Sequence, residues 1–181
     1  PGLVTDAEID EWLHSEGVPA FAALPHSDAF DLVSVERERW LSTGDTHELS
    51  RAGRAWTTQE WLHFIDALPR DLSADRLVAL DEAFSLTSST NAEIAHVWFR
   101  LAIAAGYTAA LPAIERYLLR IGRRKLIVPL YRDLTATVSG KLLAARIYAQ
   151  ARPGYHPLAQ SAIDALVPVG PYTSRCLETR L

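Results

Sequence analysis

Methionine is absent from the 181-residue chain, and there is a single cysteine, Cys176. A lone cysteine can form neither an internal disulfide nor a cysteine-rich zinc site, so we interpret Cys176 as an ordinary free thiol. The chain starts at Pro1 rather than at an initiator methionine. We therefore expect it to be a piece of a longer protein, with any targeting segment upstream of Pro1.

Long apolar runs are also absent. None reaches the roughly 18–20 residues that a membrane-spanning helix needs, and the acidic N-terminus lacks the basic and then apolar order of a secretory signal. Hydrophobic residues make up 49% of the chain and charged residues 22%, which is typical of a globular protein rather than a disordered one. The sequence predicts one domain with a sizeable core and no membrane partner.

Positive charge is scarce in the first part of the chain. Residues 1–50 contain eleven acidic and two basic residues, whereas residues 51–181 contain eleven acidic and sixteen basic residues. The overall net charge of −4 argues against a nucleic-acid partner. The asymmetry has two interpretations: two ends that differ only in solvation, or an acidic arm facing another domain and a basic patch facing an anionic ligand.

Motifs that carry catalytic chemistry are missing. The nearest approach to a zinc-protease HExxH helix is His47-Glu48-Leu49-Ser50-Arg51, where a permanently charged Arg51 replaces the second ligand. Neither a GxSxG nucleophile turn nor a glycine-rich phosphate loop occurs, and the acid pair Asp81-Glu82 is of a kind common on helix surfaces. We predict no catalytic residue, no metal ligand and no cofactor site in this chain.

Helix signals are abundant. Thr5 with Glu8, and Thr57 with Glu60, form capping-box patterns. Gly44 and Gly122 are placed where helices would end. Apolar residues recur at helical spacing through most of the chain. The nine predicted helices begin near residues 5, 27, 57, 73, 91, 108, just after 125, 139 and 156. Candidate core positions include Phe30, Val33, Trp40, Trp61, Phe64, Ile65, Leu77, Leu80, Val97, Trp98, Leu101, Ile114, Tyr117, Leu118, Leu130, Leu134, Val138, Leu142, Ile147 and Tyr148.

This pattern predicts an all-α single domain. About nine short helices joined by short loops favour an α-α superhelix, an armadillo- or HEAT-like solenoid, over the alternative of a compact helical bundle. The last segment, 168–181, lacks periodicity, and we expect a surface strap or a disordered tail. Of the five tryptophans, we expect most to pack between helices rather than to form ligand-stacking platforms.

One group of residues, the basic cluster Arg123-Arg124-Lys125, could form a ligand-binding site. Arg123 and Lys125 lie two residues apart in a predicted turn or extended segment, which can direct both side chains the same way. Arginine can grip a carboxylate with two hydrogen bonds, and lysine adds a point charge. The alternative is that all three residues cap the negative C-terminus of the preceding helix and are otherwise solvated.

The ordered motifs of the chain resemble the C-terminal helical domain of zinc aminopeptidases of the leukotriene A-4 hydrolase type. The residues that carry this resemblance are Asn91–Ile94, Trp98–Leu101, Gly122–Lys125 and Pro129–Leu134, with Ala145, Tyr148, His156 and Pro157 after them and Trp61–Asp66 and Leu80–Phe84 before them. Trp12–Pro19 is similar to the connector that follows the family's catalytic domain. The resemblance is good over about 56–160, weaker over 20–55, and absent from the tail.

The resemblance implies a modular parent in which a zinc-binding catalytic domain precedes this helical domain. Residues 1–19 would be the connector, 20–167 the helical domain and 168–181 the tail. In that family the arginine and lysine matching Arg123 and Lys125 hold the free carboxylate of a short peptide substrate, and Arg124 falls at a variable position. The partners implied are the upstream catalytic domain of the same polypeptide and that peptide; zinc would be bound in the parent.

Three functions remain open from the sequence. The first is a domain that closes the cleft of a metallo-aminopeptidase and anchors its substrate, and that is inactive by itself. The second is a stand-alone helical-repeat module that binds protein partners. The third, an independent enzyme, has the least support because the chain lacks catalytic motifs.

Overall fold

The computed structural model describes residues 4–19, 21–22 and 27–167, and every regular element within them is helical. These residues contain ten α-helices and three short 3-10 turns. The helices are α1 Asp6–His14, α2 Ala29–Thr43, α3 Thr46–Gly53, α4 Thr58–Asp66, α5 Ala74–Phe84, α6 Ala92–Ala104, α7 Leu111–Arg120, α8 Arg124–Leu134, α9 Val138–Ala151 and α10 Pro157–Asp164. The 3-10 turns are Leu86–Ser88, Thr108–Ala110 and Arg152–Gly154.

Most helices from α2 onward pack on the next helix but one. Helices α2, α4, α6, α8 and α10 contact one another in that order, while α3 packs on α5 and α7 on α9. Two layers of alternating helices are the arrangement of an α-α superhelix of helix pairs. The predicted all-α fold is confirmed.

Helix α3 is the element that the sequence did not predict. Its sequence, THELSRAG, contains one large apolar residue, Leu49, which is fully buried. A helix of eight residues with one such position has too little hydrophobic periodicity to be recognised. Its last residue, Gly53, packs closely on the next layer, because a Cβ there would lie 2.9 Å from Cε1 of Phe84.

Helix ends follow the predicted capping signals in most cases. Thr5 and Thr57 both form complete capping boxes with Glu8 and Glu60. Gly44 ends α2 with a left-handed φ of 77°, as expected for a glycine cap. Gly122 also follows the end of a helix, as predicted, because α7 ends at Arg120. It does not adopt the left-handed φ of a glycine cap, and α7 ends through an extended Ile121.

The core is centred on α6, which lies between α4 and α8 and buries seven of its residues. Trp40, Trp61 and Trp98 are buried, as expected for most of the tryptophans, but Trp12 is exposed. Three further core predictions were wrong, because Phe30, Val138 and Leu142 are exposed. Phe30 instead stacks on the His63 ring at the molecular surface, at a centroid distance of 4.8 Å.

No helix among the described residues is both long and apolar enough to cross a membrane. The predicted tail, 168–181, lies outside the described residues.

Candidate functional site

The basic cluster lies at the junction of α7 and α8. Arg123 is the N-cap residue of α8 and has extended backbone angles, while Arg124 and Lys125 belong to the first helical turn. The extended segment predicted for the cluster is thus limited to Arg123, because Arg124 and Lys125 are helical. The basic residue in the last turn of α7 is Arg120.

Arg123 and Lys125 are brought together by one carboxylate, that of Glu93 on α6. Arg123 Nη1 donates to Glu93 Oε1 at 2.8 Å, and Lys125 Nζ donates to Glu93 Oε2 at 3.3 Å. The side chains of Arg123 and Lys125 are 64% and 68% exposed, and that of Glu93 is 27% exposed. The two cations thus face solvent above a more deeply set carboxylate.

Arg124 lies apart from this pair. It lines a surface depression together with three residues of α10, Leu158, Ser161 and Ala162. No hydrogen bond or ion pair joins Arg124 to Glu93 in the part of the chain that the structure describes.

The first turn of α6 holds Glu93 in place. Asn91 is the N-cap residue, and its Oδ1 accepts hydrogen bonds from the backbone N–H of Glu93 at 3.0 Å and of Ile94 at 3.3 Å. Asn91 Nδ2 donates to Thr58 Oγ1 on α4 at 2.9 Å, and the Tyr117 hydroxyl on α7 donates to the carbonyl of Ala92 at 2.9 Å. Glu93 is therefore fixed by neighbours on two other helices.

Burial governs the ionisation of the groups behind the site. It raises the pKa of the Tyr117 hydroxyl, and the nearby charge of Glu93 raises it further. His96, one turn after Glu93, is buried, and burial lowers its pKa. Tyr117 and His96 are thus neutral at pH 7, and neither adds charge to the site.

A second ion pair ties α6 to α8 further along both helices. Arg100 Nε donates to Asp133 Oδ2 at 2.7 Å, with both side chains partly buried. The two helices are therefore tied by polar contacts at both ends of their interface. Such ties hold the start of α8, and with it Arg123 and Lys125, in a defined position relative to Glu93.

Sequence reasoning identified Arg123 and Lys125 but missed Glu93 as their partner. The sequence places Glu93 near the start of a predicted helix, where the positive end of the helix dipole already accounts for an acidic residue. Its contact with the basic cluster spans thirty residues of sequence, and no local pattern predicts such a pairing.

The described part of the chain was also searched for side chains that could bind a metal ion. No group of three or more histidine, cysteine, aspartate or glutamate side chains lies close enough there to hold a metal ion. The donor groups at this site are cationic nitrogens, which bind anions rather than metals.

Known proteins resemble this chain over most of its length. It is 26% identical over 168 residues to leucine aminopeptidase 2 of Aspergillus niger, covering 90% of the chain and 27% of that protein. It is 27% identical over 154 residues to leucine aminopeptidase 2 of Neurospora crassa, covering 83% of the chain and 22% of that protein. The chain thus spans about a quarter of the length of these relatives.

Solved structures of a yeast protein share the fold. The structure of native yeast LTA4 hydrolase superposes with a TM-score of 0.65 at 18% identity, over 88% of this chain and 29% of that one. The family model "Leukotriene A4 hydrolase, C-terminal" matches residues 56–167. Because that match covers more than half of the chain, the protein belongs to the leukotriene A4 hydrolase C-terminal domain family.

Proposed function

We propose that this domain closes the active-site cleft of a zinc aminopeptidase and that Arg123 and Lys125 anchor the free carboxylate of a short peptide substrate. The observation that carries the proposal is their shared contact with Glu93. The two side chains converge on the two oxygens of one carboxylate while most of their surface stays open to solvent. The names of the relatives, leucine aminopeptidase 2, support the same reaction class.

Enough hydrogen-bond donors remain for a second carboxylate. Arginine carries five N–H donors and lysine three, and Glu93 accepts from one nitrogen of each. Two cations and one carboxylate leave a net charge of +1 at the site. A peptide that presents its C-terminal carboxylate here would be held at its far end, which limits the positions its N-terminal residue can take.

The chemical step belongs to the catalytic domain of the parent enzyme in this proposal. This domain contributes binding and orientation, and the catalytic domain holds the zinc ion. Its partners are that catalytic domain and a peptide of about tripeptide size, and the domain alone is inactive.

The test is Arg123→Ala in the full-length parent, assayed on a tripeptide with a free C-terminus and on the same tripeptide amidated. Loss of one partner of a desolvated carboxylate costs about 2–3 kcal/mol, so kcat/KM for the free acid falls roughly 30- to 150-fold. The amide loses little, because it has no carboxylate to anchor. Arg124→Ala is the matched control, since it removes an adjacent cation that does not contact Glu93, and it leaves both substrates unaffected.

An unchanged preference for the free acid in Arg123→Ala contradicts the anchoring role. Equal losses for the acid and the amide contradict it as well, because they indicate damage to the fold rather than to carboxylate binding.

One observation favours the second candidate, a protein-binding module. An apolar cavity of about 600 Å³ opens between the end of α6, the end of α8 and the start of α9, and is lined by Tyr107, Leu111, Leu134 and Leu143 among others. It lies at the opposite end of α8 from Arg123. If Arg123→Ala does not alter peptide hydrolysis, this cavity becomes the better starting point for assigning a function.

A further inference from the structure

Arg123, Arg124 and Lys125 occupy an electrostatically unfavourable position. They stand at the N-terminus of α8, where the helix dipole is positive and favours acidic side chains. The first turn of α8 contains no acidic residue. The positive end of the dipole repels both side chains, and the two cations repel each other. Without a partner, the long side chains of Arg123 and Lys125 would therefore separate and extend into solvent.

Glu93 supplies the missing negative charge from another helix. It lies in the first turn of α6, where the same dipole effect stabilises its carboxylate. Its backbone N–H bonds to Asn91, and Asn91 bonds in turn to Thr58 on α4. A fixed, less exposed anion is thus placed between two exposed and flexible cations.

The way α6 is capped leaves this carboxylate available. In the capping boxes of α1 and α4, Glu8 and Glu60 stand three residues after the N-cap residue and bond back to its backbone N–H at 2.7 Å. Glu93 stands two residues after Asn91, whose own side chain caps the helix. Glu93 therefore has both oxygens free for Arg123 and Lys125.

We propose that Glu93 is a positioning residue that holds Arg123 and Lys125 in the geometry needed to grip a substrate carboxylate. This inference rests on the function proposed above. Arginine and lysine have long side chains that lose rotamer entropy when they are ordered. Glu93 orders them before substrate arrives, so that less of this cost falls on binding.

The opposite role is physically conceivable and makes the opposite prediction. A carboxylate already bound to both cations could compete with the carboxylate of the substrate. Removing it would then strengthen binding of the free acid, whereas removing a positioning group weakens it.

The experiment is Glu93→Gln in the full-length enzyme, with the same free-acid and amidated tripeptides. Glutamine keeps the size of the side chain but loses the charge and one of the two acceptor oxygens. We expect kcat/KM for the free acid to fall about tenfold, as for loss of a charge-assisted contact, and kcat/KM for the amide to change less than about twofold.

Glu115→Gln is a closely matched control. Glu115 is 26% exposed and accepts from Arg146 Nη2 at 2.8 Å, and neither residue contacts Arg123. Its substitution removes an equivalent ion pair, so both substrates should be hydrolysed as by the wild type. A similar loss in Glu115→Gln would mean that the effect of Glu93→Gln is a general loss of helix packing.

Adding Arg123→Ala to Glu93→Gln separates the two proposals. If Glu93 acts through the cations, Glu93→Gln costs less on the free acid in the Arg123→Ala background, where only Lys125 remains to be positioned, than in the wild type. An equal cost in both backgrounds contradicts the positioning role. If Arg123→Ala abolishes the preference for the free acid but Glu93→Gln preserves or strengthens it, the positioning role is wrong and the anchoring role stands. If neither variant changes the preference, both are wrong.

Discussion

Helices α1 and α6 begin in similar ways but differ in what surrounds them. Each has a polar N-cap residue, Thr5 or Asn91, whose side chain accepts a backbone hydrogen bond. Helix α6 buries seven residues, whereas α1 buries none and leaves Trp12 53% exposed. Local capping thus specifies where a helix starts in both regions, but only α6 has neighbours that cover its apolar residues within the described chain.

The first-turn glutamates of the two helices show the functional side of this difference. The carboxylate of Glu8 accepts hydrogen bonds from the backbone N–H and the hydroxyl of Thr5. Both bonds lower the pKa of Glu8, and the bond from the backbone has the larger effect. Glu93 leaves its carboxylate to Arg123 and Lys125. Glu93, which stands one position closer to its N-cap residue than Glu8 does, therefore links α6 to α8 instead of capping its own helix.

The largest expected contrast between the two regions comes from their tryptophans. Trp98 is fully buried and donates from Nε1 to Thr87 Oγ1 at 2.9 Å. Trp98→Ala should lower the free energy of unfolding by about 3–5 kcal/mol, because it opens a cavity and removes a large apolar contact. Trp12→Ala should change it by less than about 0.5 kcal/mol, because the side chain is exposed. Urea denaturation of the 181-residue chain measures both.

Similar losses from the two substitutions would contradict this contrast. They would show that Trp12 packs against the rest of the chain in solution, and that the N-terminal region is part of the same core as α6.

The capping boxes give a smaller contrast between identical motifs. Thr57→Ala removes the cap of α4, whose Trp61, Phe64 and Ile65 are buried, and should lower the free energy of unfolding by about 1 kcal/mol. Thr5→Ala removes the same cap from α1, which buries nothing. It should reduce helix content by circular dichroism without shifting the urea midpoint. A shifted midpoint in Thr5→Ala would show that the folding of α1 is coupled to that of the core.

Much of the fold could be predicted because its signals are local. Capping boxes at Thr5 and Thr57 and a terminal glycine at Gly44 were each found as expected. The failures have tertiary causes. Helix α3 depends on one buried leucine and on the close approach of Gly53 to Phe84, and neither has a sequence signature.

Of the three residues of the site, the two that are neighbours in the sequence could be predicted and the one on another helix could not. Arg123 and Lys125 stand together in the sequence, so their potential to bind a carboxylate could be inferred from residue type and spacing. Glu93 lies on another helix, and only the packing of α6 on α8 brings it to them. The sequence also offered capping of α7 as an alternative, and only the fold shows that both cations contact Glu93.

The smallest expected contrast is a dependence on pH, tested with a partly buried ion pair of α10 and an exposed ion pair of α1. Asp164 accepts hydrogen bonds from Arg152 Nη2 at 2.9 Å and from the Tyr148 hydroxyl at 2.6 Å. These bonds lower the pKa of Asp164 to about 2, and the bond from Arg152 has the larger effect. Because an unfolded aspartate has a pKa of about 3.9, this stabilisation is complete above about pH 4 and is lost as the pH falls through about 2.

Asp164→Asn should therefore lower the melting temperature at pH 7, and its difference from the wild type should shrink as the pH falls from about 4 toward 2. Asp10 pairs with His14 on α1 at 3.0 Å with both side chains largely exposed, and Asp10→Asn serves as the control from the N-terminal region. It should leave the melting temperature unchanged at every pH, because no buried group depends on that pair. A pH-independent loss in Asp164→Asn would mean that the carboxylate stabilises α10 through packing rather than through its charge.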